Sequence, residues 1–204
     1  FAQRSASTNA ILAPINTSDL YAFRIPDIPF KYDADTQTYS IGGRYECTLG
    51  ESNLLYACKV APVYRKDDTY TGINAYGASF LVERTREINF ALAILIRTSQ
   101  TPSLKKLFVD NPDDPYLNNS YIYKDTLFVP VEKARNLKDA KLAVLFVGRV
   151  SDAKTIKGPN IVLKPTFDRP RDVAISRDAI PFDLKKIIYY VIKTGEILDQ
   201  KVFW

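Results

Sequence analysis

Three short motifs carry side chains that could perform acyl transfer. In Ser103-Leu104-Lys105-Lys106 a hydroxyl precedes an ammonium group by three positions, one turn apart if the segment is helical. A lysine so placed can take the serine proton and make the hydroxyl a nucleophile. Ser151-Asp152-Ala153 adds a hydroxyl beside a carboxylate, and Lys193-Thr194-Gly195 an ammonium beside a hydroxyl. Other catalytic chemistry is narrowed by composition. The 204 residues include no His, which removes Ser-His-Asp and Cys-His catalysis and the commonest transition-metal ligand. No Gly-rich phosphate loop and no Cys-x-x-Cys occur. An enzyme built here would run on carboxylates, Lys or Tyr.

The order of the three motifs resembles that of penicillin-binding proteins and class A β-lactamases. The resemblance implies a nucleophilic Ser103 on a helix, activated by Lys106, with Lys193-Thr194-Gly195 lining the site from a strand. The chain departs from that pattern. The middle motif ends in Ala153 where the family has Asn. Only 90 positions separate Ser103 from Lys193, little room for a helical domain, and the residues between read as strands. Lys193-Thr194-Gly195 also has a local role as a hairpin turn. The acyl-serine enzyme is therefore the last of three readings, and no catalytic residue is assigned.

Carboxylates give no sharper signal. Partners in glycoside hydrolysis usually lie far apart in sequence, and nothing singles out Glu51, Glu83, Glu87 or Glu132. Asp33 and Asp35 resemble the start of a calcium loop, without the Gly and terminal Glu at the required spacing. Asp110-Asn111-Pro112-Asp113-Asp114-Pro115 is an acidic loop whose oxygen ligands alone do not specify a cation. No metal or cofactor is assigned.

The two cysteines, Cys47 and Cys58, flank a turn-like Leu49–Asn53 between strand-like segments 44–48 and 54–60. Cross-strand cysteines can bridge when the register suits. A disulfide is expected, which places the chain outside the reducing cytosol, in the periplasm or secreted. Phe1-Ala2-Gln3 reads either as the stub of a removed signal peptide or as the start of a truncated chain. No apolar run is long enough for a membrane-spanning helix. The net charge of +5 is concentrated from Pro130 onward, yet basic residues are dispersed among acids. That reads as a solvated surface, with no patch for specific nucleic-acid binding. Tyr64, Tyr70, Tyr76, Tyr116, Tyr121 and Tyr123 lie in or near expected loops, where tyrosine is enriched at contacts with partners or sugars.

The elements that would position these residues are mostly strands. Residues 1–18 read as an extended N-terminal arm, and residues 19–204 as a single β-rich domain. Phe30–Ile41 alternates apolar and polar residues around the turn residues Asp33–Gln37. In Ile88–Ile96 large apolar residues occupy one face and small ones the other, as in a central strand covered on both sides. Tyr64–Thr71 reads as polar and turn-like. Ser103–Phe108 and Glu132–Leu137 read as helical turns, the second opened by Pro130. Further strands are expected over Tyr121–Val131, Lys141–Val150, Asn160–Phe167, Asp172–Ile175 and Leu184–Ile192. Ile197–Phe203 returns along the last as a hairpin. Val82–Ile96 and Val131–Val150 each begin Val-Glu-basic-x-Arg and end in an apolar strand, a candidate strand–turn–strand duplication.

The expected fold is mainly β: an antiparallel β-sandwich-like domain with one or two short helices. The leading functional reading is a non-catalytic exported interaction or assembly module, a structural component of a cell-envelope complex with other proteins as partners. The second is a carbohydrate-binding or carboxylate-driven carbohydrate-active protein.

Overall fold

The computed structural model describes residues 16–26, 28–49, 55–95, 101–110, 120–151, 156–157 and 160–203. Among the described residues, twelve strands and two short helices follow in order: β1 (Leu20–Ile25), β2 (Phe30–Asp33), β3 (Thr38–Leu49), β4 (Leu55–Ile73), β5 (Ser79–Leu95), α1 (Thr101–Leu107), β6 (Phe108–Asp110), β7 (Ser120–Phe128), α2 (Val131–Asn136), β8 (Leu142–Val150), β9 (Ile156–Lys157), β10 (Ile161–Leu163), β11 (Arg171–Val191) and β12 (Ile197–Val202). The fold is mainly β and sandwich-like, without barrel closure. Most of the expected N-terminal arm, the tip of the cysteine hairpin and the acidic stretch 111–115 lie outside the described residues.

Strand pairing runs in the order β1-β8-β11-β5-β4-β3-β7-β6. Its two ends fold over one another. The Phe146 ring on β8 meets Phe108 of β6 and Tyr123 of β7 at centroid separations of 6.5 and 5.7 Å. A face of each half is thereby buried in one cluster that includes Phe90, Leu92, Ile94, Phe146, Phe182 and Tyr189. Burying such side chains contributes roughly 1.5–3 kcal/mol each.

Strand β11 organises the rest. Phe182 pairs with Val150 of β8 and with Ile94 of β5, so those strands flank opposite edges. Asp178 pairs with Lys157 of β9 and Phe90 of β5 in the same way. Strands β8, β9 and β10 therefore follow one edge, while β5 and β12 share the other. Pro181 interrupts β11 without ending it. Its carbonyl accepts from the Ser151 amide, so the residue's missing N–H faces the gap between β8 and β9. Where two strands were expected, over Asp172–Ile175 and Leu184–Ile192, the chain forms one.

Three further expectations change. The β5–β11 pair is parallel, so the pairing is mixed rather than wholly antiparallel. Tyr64–Thr71 is strand, paired residue by residue with Leu81–Ile88. The two Val-Glu-basic-x-Arg copies differ: Val82–Arg86 lies within continuous β5, and Val131–Arg135 is in α2. Strand flanks fix the first copy. Pro130, with its φ of −54°, opens the second as a helix.

Candidate functional site

The acyl-transfer motifs do not converge. Ser103 and Lys106 lie on α1 and line a cleft with Lys124, Asp125 and Lys201. Ser151 follows β8, and Lys193 stands in the exposed β11–β12 turn. Neither lines that cleft. Of the four glutamates weighed for carbohydrate chemistry, Glu51 lies outside the described residues and the other three are held by cations. Glu83 is 3.3 Å from Arg171, and Glu132 is 2.6 Å from Arg135. Glu87 is joined to Lys59 at 2.5 Å and to Arg65 at 3.4 Å. Burial pushes its carboxyl upward, but hydrogen bonds from Lys59 and Asn89 and both positive charges outweigh that, and the net shift is downward. Asp33 accepts the Asp35 amide at 2.9 Å, ordering the hairpin turn. Cys47 and Cys58 pair directly across β3 and β4 and form a disulfide.

The cleft occupies about 750 Å³ between β3 and β7 on one side and β12 on the other, with α1 at its flank. Its buried wall holds a polar chain. Asp125 accepts from Lys201 and from the Thr126 amide on Oδ1, and from the Tyr189 hydroxyl on Oδ2. Tyr189 also meets the Tyr123 hydroxyl at 2.6 Å. Since the Tyr189 proton goes to the carboxylate, Tyr123 must donate to Tyr189. Burial, reinforced by the nearby carboxylate, pushes both phenols well above their ordinary value. They are therefore neutral donors and not bases. Gly42 lets β3 close on this wall. Its φ is +96°, and a Cβ there would stand 1.8 Å from the Tyr123 carbonyl oxygen.

A second region lies beyond the core, where β4 and β5 continue as a ribbon flanked by β10 and the start of β11. Cross-strand partners share a face, so the ribbon's two sides follow from its register. One side carries Tyr64, Lys66, Asp68 and Tyr70 on β4, with Val82, Arg84, Arg86 and Ile88 on β5. There Arg84 grips Asp68 with two bonds, at 2.6 and 2.8 Å, and lies over the Tyr70 ring at 5.2 Å. Arg86 bonds Asp172 on β11 at 2.7 Å. The hydrogen bond from Arg84, then Lys66, holds the Asp68 carboxyl down at about 2. The other side carries Arg65, Asp67, Thr69, Thr71 and Ile73 against Leu81, Glu83, Thr85 and Glu87.

The ribbon's end is apolar. Ile73 is 71% exposed, Tyr76 96% and Leu81 64%. The turn bearing Tyr76 is well formed, because Asn74 Oδ1 accepts from the amides of Tyr76 and Ala78 at 3.0 and 2.9 Å. On the opposite side Phe167 packs edge-on against Phe80 at 5.9 Å. Val82 is fully buried beside Gly72, whose lack of a side chain leaves the space.

Of the tyrosines expected at contacts, Tyr76 and Tyr64 are exposed, Tyr70 and Tyr121 half-buried, and Tyr123 fully buried. Tyr116 lies outside the described residues. The sequence reading did not single out Asp125, Lys201 or Tyr189. The available signal was a charge at an inward position: Asp125 falls between the core residues Tyr123 and Leu127 on an alternating strand. No helix among the described residues is long and apolar enough to cross a membrane. No protein family, curated protein or solved structure significantly matches the chain.

Proposed function

We propose that the chain is a non-catalytic, exported interaction and assembly module whose distal ribbon carries the contact surface for a protein partner. The observation behind this reading is the concentration of exposed apolar side chains at one end of the ribbon. Single exposed apolar residues are ordinary on protein surfaces. Here Ile73, Tyr76 and Leu81 stand together on an ordered turn and its adjoining strand ends. A partner that covers them gains apolar burial without first ordering the chain. The two alternatives have less support. Glu83, Glu87 and Glu132 are each engaged by cations, and Ser103 stands apart from Ser151 and Lys193.

The Cys47–Cys58 disulfide supports export, because such bonds persist in oxidising compartments. We place the module in the periplasm or outside the cell, as a subunit of a larger envelope assembly. A photocrosslinking residue at Tyr76, introduced in the native source, tests both points. The expected result is one discrete protein adduct in the envelope fraction, lost when Ile73 and Leu81 are both replaced by Ser. Absence of an adduct, or one that survives those substitutions, would overturn the partner reading. A population held in the cytosol with free thiols would overturn export.

A further inference from the structure

The cleft between the sheet layers has no part in that contact surface, and its composition points to a different ligand. We propose that it binds a small amphiphilic organic anion, with one acidic group held by lysines and an apolar body laid on the cleft floor.

The charge balance comes first. Among the described residues, Lys106, Lys124 and Lys201 line the cleft against one carboxylate, Asp125. That carboxylate is already committed. Its side chain is 5% exposed, and it accepts from Lys201, the Thr126 amide and Tyr189. The neutral tyrosine pair behind it fixes its orientation. An ammonium group carries three donors. Lys201 bonds Asp125 and remains 34% exposed, so donor capacity is left on the cleft side. With Lys106 and Lys124 the described lining carries two more positive charges than negative ones, which favours an anion and disfavours a cation.

Shape and polarity narrow the class. A volume of about 750 Å³ falls within the usual range for small-molecule sites and far exceeds a bare inorganic anion. Buried Ile41, Leu107 and Phe203 supply apolar floor. Ser103 adds a hydroxyl that can hydrogen-bond an acidic headgroup. Apolar surface lined by lysines matches a medium-chain carboxylate better than a polyanion, which would leave the floor unused.

Octanoate is a suitable probe, followed by NMR through the Thr126 and Lys201 amides at fixed ionic strength. We expect saturable shifts that weaken as salt rises. Replacing Lys106 and Lys124 together by Ala should weaken binding at least about tenfold. Both are exposed, so the double variant should keep the fold, verified by an unchanged amide spectrum away from the cleft. Inorganic phosphate should fail to saturate below about 10 mM, and octan-1-ol should fail to saturate up to its solubility limit. Three outcomes overturn the proposal. Octanoate gives no saturable binding, octan-1-ol or phosphate binds as tightly as octanoate, or the double variant keeps full affinity. None of these depends on whether the ribbon captures a protein.

Discussion

The interlayer core and the distal ribbon share strands yet are held together by different forces. Strands β4, β5 and β11 pass through both. Around Phe146 and Tyr189 they are covered on the interlayer face, and side-chain burial dominates. Around Asp68 and Arg84 both faces meet solvent, and backbone pairing is supplemented by ion pairs and one small cluster at Val82. Exposed ion pairs contribute little each, about 0–1 kcal/mol. The difference separates two tasks along the same strands. The core supplies the stability, and the ribbon can vary its end without endangering the fold.

The largest test of that division is a pair of aromatic truncations. Phe146→Ala removes a fully buried ring that touches Phe108 and Tyr123, and should cost about 3–5 kcal/mol in urea unfolding. Phe167→Ala removes a ring that is 63% exposed and should cost under about 1 kcal/mol. Equal costs would break the comparison. Replacing both Cys47 and Cys58 by Ala should cost about 3 kcal/mol, from the closure entropy of a loop with sequence separation 11. Tyr189→Phe keeps the ring and deletes the link between Tyr123 and Asp125. The expected loss is about 1–3 kcal/mol, because buried polar groups are left without a partner. A loss near zero would mean that the polar chain is incidental to the core.

These two regions were also unequally legible in the sequence. Phe30–Ile41 showed in alternation and turn residues, since it has a core face and a solvent face, and the closing hairpin showed as an apolar run ended by the turn residues Lys193–Glu196. Ile88–Ile96 showed as apolar on both sides, and both sides of its described part, Ile88–Leu95, are covered. Tyr64–Thr71 did not show as a strand. Its residues are polar on both faces, so there is no periodic signal, and its strand character rests on pairing with Leu81–Ile88. The parallel β5–β11 pair joins segments about 88 positions apart, as in Glu83 with Arg171, and no local pattern encodes it. The Val-Glu-basic-x-Arg repeat shows the same limit from the other side. One pentapeptide pattern is strand where neighbours flank it and helix where Pro130 starts it. In the cleft, Asp125 and Lys201 meet across a separation of 76. Only their inward positions hinted at a shared role.

Acid should open the two regions in a defined order. Asp68 has its folded-state pKa depressed to about 2, chiefly by Arg84, from an ordinary value of 3.8. Asp172 is lowered as well, chiefly by Arg86. A depressed carboxylate contributes its stabilisation fully above the unfolded value and loses it as pH falls through the folded one. The ribbon's ion pairs should therefore be intact above about pH 4 and release between about pH 4 and 2. Hydrogen exchange of the Asp68, Arg84 and Asp172 amides should accelerate in that window beyond its intrinsic pH dependence. The amides around Phe146 should remain protected there. If core and ribbon lose protection together, the ribbon is not an independently opening unit.

The smallest expected effect on stability is the most informative about function. Ile73→Ser and Leu81→Ser remove exposed side chains from the ribbon end, and each should change unfolding free energy by less than about 0.5 kcal/mol. No core contact is lost, and serine retains the backbone pairing of Ile73 with Ser79 and of Leu81 with Thr71. An isolated chain under no demand to bind would gain solubility from both changes at almost no cost. Capture through Tyr76 should nonetheless fall sharply in the double variant. Unchanged stability with lost capture is the signature of a surface kept apolar for a partner. Destabilisation by 2 kcal/mol or more, a magnitude typical of core truncation at about 2–5 kcal/mol, would instead make Ile73 and Leu81 part of the fold's own packing.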